Sequence, residues 1–138
     1  MTEKLPQGTA AWFAMVGVEI VRVAAKVGLP PGLRLSVIER YFDGAALEKG
    51  VYQGLRIEVA DGTLAYRTGV RADETADVVI EVTAQTARQL NLLLSADPAY
   101  RQTLSDAASR GDFRVSGDLG ALGQVFNMAH DSIVRRTV

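Results

Sequence analysis

Hydrophobic positions along this chain follow first a helical period, then a strand period, then a helical one again. From 10 to 27 the residues are apolar except for Glu19, Arg22 and Lys26. Those charges fall at steps of three and four, so they share one helical stripe and leave the rest of the helix apolar. The pattern predicts a helix packed on a core, with Thr9 as its N-cap and Gly28 and Pro30-Pro31-Gly32 as its stop. Three charges make it a poor membrane span, though an interfacial membrane helix is a second reading of the same stripe. Residues 1–8 are polar and read as a loose tail. Leu35, Ile38 and Phe42 sit at helical spacing and predict a short second helix over 33–42, with one further turn over 45–50.

The period then changes to two. Leu55-Arg56-Ile57-Glu58-Val59 alternates apolar and charged, Asp61-Gly62 is a two-residue hairpin signal, and 63–70 is the returning strand. A third strand covers 77–82. Thr83 caps a helix over 84–94, and Asp97-Pro98 opens another that stops at Gly111 and carries Tyr100, Leu104, Ala107 and Ala108 inward. A strand over 112–116 precedes a last amphipathic helix capped by Asp118, with Leu119, Leu122, Val125, Phe126, Ala129 and Ile133 inward. The order α-α-β-β-β-α-α-β-α implies an α+β fold: a mainly antiparallel sheet covered by helices, one domain over 1–138 with no internal repeat or linker.

Composition narrows the function. Fifteen Lys and Arg against sixteen Asp and Glu leave a formal charge of −1, which argues against a nucleic-acid partner. No cysteine is present, so disulfides, thiolate catalysis and cysteine metal sites are excluded. The start lacks a charged-then-apolar leader pattern, and a cytoplasmic protein is the expectation.

The residues offer little chemistry. His130 is the single histidine, and its neighbour Asp131 points elsewhere on a helix. One histidine and no cysteine leave only a carboxylate-rich zinc site, for which no carboxylate cluster has ligand spacing, and no serine stands in a G-x-S-x-G elbow. The glycines at 117, 120 and 123 do not match a dinucleotide motif, because Leu119 stands where a glycine is needed. Asp73, Glu74 and Asp77 read as a solvated turn, and Glu58 and Glu81 as cross-strand partners of Arg56, Arg67 or Arg114. No catalytic residue, metal or cofactor is expected. What remains is apolar surface in quantity.

Three segments carry a family resemblance: Asp61-Gly62-Thr63-Leu64, Ala76-Asp77-Val78-Val79-Ile80-Glu81-Val82, and Gly111-Asp112-Phe113-Arg114-Val115-Ser116-Gly117-Asp118. With the leucine-rich helix between them, they resemble the sterol carrier protein 2 family in the same order. The resemblance spans the core over 47–138, while the helical segment over 9–43 departs from it and suggests a bacterial-type relative. It implies a five-stranded sheet, one strand more than the pattern shows, with the hidden strand near Val51. It also implies an apolar tunnel for fatty acids, acyl-CoA, sterols or isoprenoid lipids, carried without catalysis.

On that basis Leu90, Leu94, Leu104, Leu122, Phe126 and Met128 are the expected lipid-lining residues, with Arg88, Gln124 and Asn127 as polar anchors. Trp12 and Phe13 would gate the mouth. The competing expectation is an accessory or dimerisation module that docks to a lipid-related enzyme. Trp12, Phe13, Val16, Ile20 and Val23 would then form the interface of a homodimer or another contact, a transient membrane contact included.

Overall fold

Residues 35–41 form the central strand of a mixed sheet, where helical spacing predicts a helix. The computed structural model describes residues 3–44 and 46–138; Met1 and Thr2 of the expected tail, and Ala45 of the expected turn, lie outside the described residues. The elements are α1 (Ala10–Val27), β1 (Leu35–Tyr41), β2 (Ala46–Glu48), β3 (Val51–Ala60), β4 (Thr63–Arg71) and β5 (Val78–Val82). There follow α2 (Ala84–Leu90), α3 (Pro98–Arg110), β6 (Phe113–Ser116) and α4 (Leu122–Val134).

The sheet runs β4-β3-β1-β5-β6, with short β2 paired to the start of β3. All neighbours are antiparallel except β1 and β5, which pair in parallel from Val37↔Val78 to Tyr41↔Val82. The fold is therefore α+β, with five main strands and a sixth short one. The strand sought near Val51 is the opening of β3; the strands missing from the pattern are β1 and β2. Val37, Ile38 and Tyr41 are all buried, so β1 is covered on both faces and shows no clean alternation. Its chance spacing of Leu35 and Ile38 mimics a helix instead.

Turns and caps follow the local chemistry. Asp61 and Gly62 both take positive φ, 53° and 78°, as a two-residue hairpin turn requires. Thr9, Thr83 and Asp97 accept backbone N–H bonds at the starts of α1, α2 and α3. Asp118 is a correction: it accepts from the Gly120 N–H at 2.9 Å, and α4 starts only at Leu122, without a side-chain cap. Likewise α2 ends at Leu90, and turns replace the helix expected to reach 94.

One side of the sheet carries the helices. α1 crosses β3 and β4 and packs along α4, while α2 and α3 pair with each other and α3 with β6. Gly17 lets α1 come down onto the sheet, since a Cβ there would collide with the Tyr66 ring. The Trp12 indole N–H donates to Thr137 Oγ1 at 2.9 Å in the core. Residues near the N-terminus are not loose: Leu5 N–H donates to Arg136 O and accepts through its own carbonyl from Val138 N–H, at 2.8 and 2.9 Å. The other side of the sheet is a lattice of ion pairs, among them Arg56–Glu58 at 2.7 Å and Arg40–Glu81 at 3.2 Å.

Candidate functional site

Over the middle of the sheet the α1–α4 and α2–α3 pairs leave a cavity of about 340 Å³ between them. Its floor is the inner face of three adjacent strands: Val37 of β1, Leu55 and Ile57 of β3, Ile80 and Val82 of β5. Alternation along each strand delivers these side chains to one side. α1 supplies Trp12, Val16 and Ile20, one helical stripe at i, i+4 and i+8. α2 and α3 supply Ala87, Leu90 and Leu104; α4 supplies Phe126, Ala129 and Ile133. Phe113 and Val115 close the β6 edge, where Val115 is also open to solvent.

Five polar side chains interrupt this apolar lining: Glu39, Asn91, Tyr100, Asn127 and His130. Two of them are tied to a helix end and a turn. The Asn91 amide donates to the Ala87 carbonyl at 2.7 Å. The His130 Nε2 lies 2.8 Å from the Leu93 carbonyl, so that nitrogen carries the proton. Its ring tilts against Tyr100 at 4.6 Å between centroids, and Asn127 lies one turn earlier on α4. The neighbouring Asp131 holds Ser95 through its N–H at 2.8 Å and its hydroxyl at 2.7 Å, which fastens the turn after α2 to α4. Burial acts to raise the Asp131 carboxyl, but the bonds from Ser95, together with the neighbouring His130 and Arg135, outweigh it and the pKa is lowered.

Glu39 differs from the rest. Among the described residues its carboxyl has no hydrogen-bond or ion-pair partner. Glu39 is half-buried, and the surface it still exposes is cavity wall, so its carboxyl is partly desolvated. That desolvation pushes its pKa from 4.5 up to about 7. Tyr100 is also raised, by burial first and by the Glu39 charge second, which places the two groups within electrostatic reach. Tyr41, on the same side of β1, is raised well above the usual phenol value by burial and then by Glu39, while its hydroxyl accepts from Gln7 at 2.9 Å. β1 is held close to β3 here because Gly54 lacks a side chain; a Cβ would run into the Glu39 carbonyl oxygen.

The structure sorts the residues expected at the site. Leu90, Leu104 and Phe126 line the cavity. Leu122 is fully buried but outside the lining, and Leu94 and Met128 are 41% and 40% exposed, away from it. Leu94 misses because α2 ends four residues before it; Met128 lies on the outer side of α4. Of the polar candidates Asn127 reaches the cavity, whereas Arg88 and Gln124 lie outside the lining. Trp12, Phe13, Val16, Ile20 and Val23, the expected interface, are buried inside the chain itself, three of them on the cavity wall. Glu39 is absent from the sequence-based candidates because its segment reads as a helix. The signal for it is a lone acid two residues from Val37 and two from Tyr41 on one strand face.

No group of His, Cys, Asp and Glu among the described residues could hold a metal ion, and no described helix is long and apolar enough to cross a membrane. No protein-family model and no curated protein matches the sequence. Solved structures do. A conserved protein from Thermus thermophilus, described as possibly a sterol carrier protein, is 15% identical over 98% of this chain and 92% of its own, with a TM-score of 0.55. A sterol carrier protein 2 is 17% identical over 94% and 95%, with a TM-score of 0.50. The sterol carrier protein 2 of Aedes aegypti, solved in complex with the C16 fatty acid palmitate, is 13% identical over 90% and 98%, also at 0.50. The chain thus has the sterol carrier protein 2 fold.

Proposed function

We propose that the chain binds a single hydrophobic molecule, a fatty-acyl, isoprenoid or sterol-like lipid, in the cavity between sheet and helices, and carries it without chemical change. The observation behind this reading is the cavity itself: about 340 Å³ of space lined by apolar side chains from the sheet and all four helices. That volume is at the lower end of the roughly 300–1,000 Å³ typical of ligand pockets, which favours one chain or one ring system over a bulky conjugate. Each 100 Å² or so of apolar ligand surface removed from water would contribute about 2.5 kcal/mol before the costs of association. The palmitate complex of a structure with the same fold supports the ligand class. Leu90, Leu104 and Phe126 would contact the apolar body of the ligand.

Native mass spectrometry of freshly purified protein tests this, with solvent extraction of whatever is released. A stoichiometric lipid adduct is expected, and Leu104→Trp should fill the cavity and remove the adduct while a cooperative melting transition is kept. A bare protein mass that stays bare after fatty acids, sterols and acyl-CoA are added would overturn the proposal.

A further inference from the structure

Resting on the carrier reading, we infer that Glu39 and Tyr100 form a subsite for an uncharged, hydroxyl- or carbonyl-bearing lipid head, and that this subsite discriminates against a free carboxylate. The cavity lining contains no Lys and no Arg. The groups able to carry charge near Glu39 are Tyr41 on β1, Tyr100 on α3 and His130 on α4; the lining residues of α1, α2, β3, β5 and β6 are apolar. Asp131 on α4 also acts on Tyr100 and is another acid, occupied by Ser95. His130 is bonded through Nε2 to the Leu93 carbonyl, which leaves its Nδ1 without a partner among the described residues, and Tyr41 is bonded to Gln7. A lipid carboxylate entering here would find no Lys or Arg, and would share an apolar space with an acid.

A hydroxyl or carbonyl head meets the opposite situation. Among the described residues neither the Glu39 carboxyl nor the Tyr100 hydroxyl has a hydrogen-bond partner, and both line the cavity. A protonated Glu39 donates to an alcohol or carbonyl oxygen; an ionised Glu39 accepts from an alcohol O–H. Either way a half-buried polar group facing the cavity gains a partner that the fold does not supply. With its carboxyl poised near neutrality, Glu39 can present either form at little cost. Two carboxyls sharing one apolar cavity raise each other's pKa, so palmitate binding should be accompanied by uptake of a proton. It should therefore strengthen as pH falls through about 7, while alcohol binding should change little.

The test is a competition between palmitate and hexadecan-1-ol for the intact protein, with bound lipid extracted and quantified at about pH 5.5 and about pH 8.5. At the higher pH the alcohol should be retained over palmitate by roughly tenfold or more, and the ratio should shrink at the lower pH. Glu39→Gln keeps the shape, removes the charge and should raise palmitate retention and flatten the pH dependence. Tyr100→Phe should reduce the alcohol preference without abolishing the pH dependence. Retention of palmitate equal to or above that of the alcohol at about pH 8.5, or a Glu39→Gln protein with the wild-type ratio, would overturn the subsite while leaving the carrier reading intact. If neither lipid is retained at either pH, the carrier reading fails and takes the subsite with it.

Discussion

The two faces of the sheet treat carboxylates in opposite ways. On the outer face Glu58 is held by Arg56 at 2.7 Å, Glu81 by Arg40 at 3.2 Å, and Glu74 by Arg67 and by the Arg71 N–H at 2.8 Å. On the inner face Glu39, the residue next to Arg40, has no such partner among the described residues. One residue along β1 separates a group whose needs are met within the chain from one whose needs are not. The outer pattern is what a sheet needs to stay wet and well ordered. The inner pattern costs stability, and a fold that only had to persist would do better with an apolar residue at 39.

The largest way to break this contrast is to open the inner face to water. Trp12 is 2% exposed, walls the cavity and donates to Thr137. Trp12→Ala should cost about 3–5 kcal/mol in chemical denaturation. It should also let Glu39 titrate closer to an ordinary carboxylate, which carboxyl-resolved NMR would follow.

Next comes Glu39 itself. Its folded-state pKa, about 7, is above the ordinary 4.5, so the folded protein holds the proton more tightly than the unfolded chain. Stability should therefore fall as pH rises from about 4.5 to about 7 and level off above, by at most about 3–4 kcal/mol. Glu39→Gln should remove that slope and leave the protein more stable at about pH 8. An unchanged slope in Glu39→Gln would refute the assignment.

Glu74 gives the opposite sign. The Arg67 hydrogen bonds lower its pKa despite partial burial, with the Arg71 N–H adding to the effect. Its contribution is present above the ordinary carboxylate range and is lost as pH falls through it and below. Glu74→Gln should cost about 1 kcal/mol at neutral pH, since Arg67 is well exposed and screened. The cost should vanish in acid. Salt should reduce it as well, which the Glu39 effect should resist.

These contrasts also mark where the sequence is legible. The outer-face strands β3 and β4 announce themselves because one face is wet: Arg56 and Glu58 alternate with Leu55, Ile57 and Val59. The caps at Thr9, Thr83 and Asp97 are readable for a local reason, since each bonds a backbone N–H two or three residues on. β1 is not readable, because both its faces are covered and the charged residue on its inner side, Glu39, points into a cavity. Period-based reading takes polar to mean outward, and a binding cavity is where that inference fails. The same limit applies to the lining: Leu90, Leu104 and Phe126 follow from helical stripes, while Val37, Ile57 and Ile80 come from strands whose assembly only the topology supplies.

The smallest effect expected is the most direct check on that limit. By pattern Leu94 and Phe126 are equivalent apolar residues on helices flanking the cavity. In the structure Leu94 lies in the turn beyond α2 and is 41% exposed, whereas Phe126 lines the cavity from α4. An arginine at an exposed turn loses little apolar contact and keeps its charge in water, so Leu94→Arg should shift stability by no more than about 0.5 kcal/mol. It should also keep any lipid adduct seen by native mass spectrometry. Phe126→Arg must instead bring a guanidinium to a wall whose one carboxylate is Glu39, and should lose the adduct. Loss of the adduct in both variants would mean that Leu94 contacts the ligand after all; its retention in both would mean that Phe126 does not.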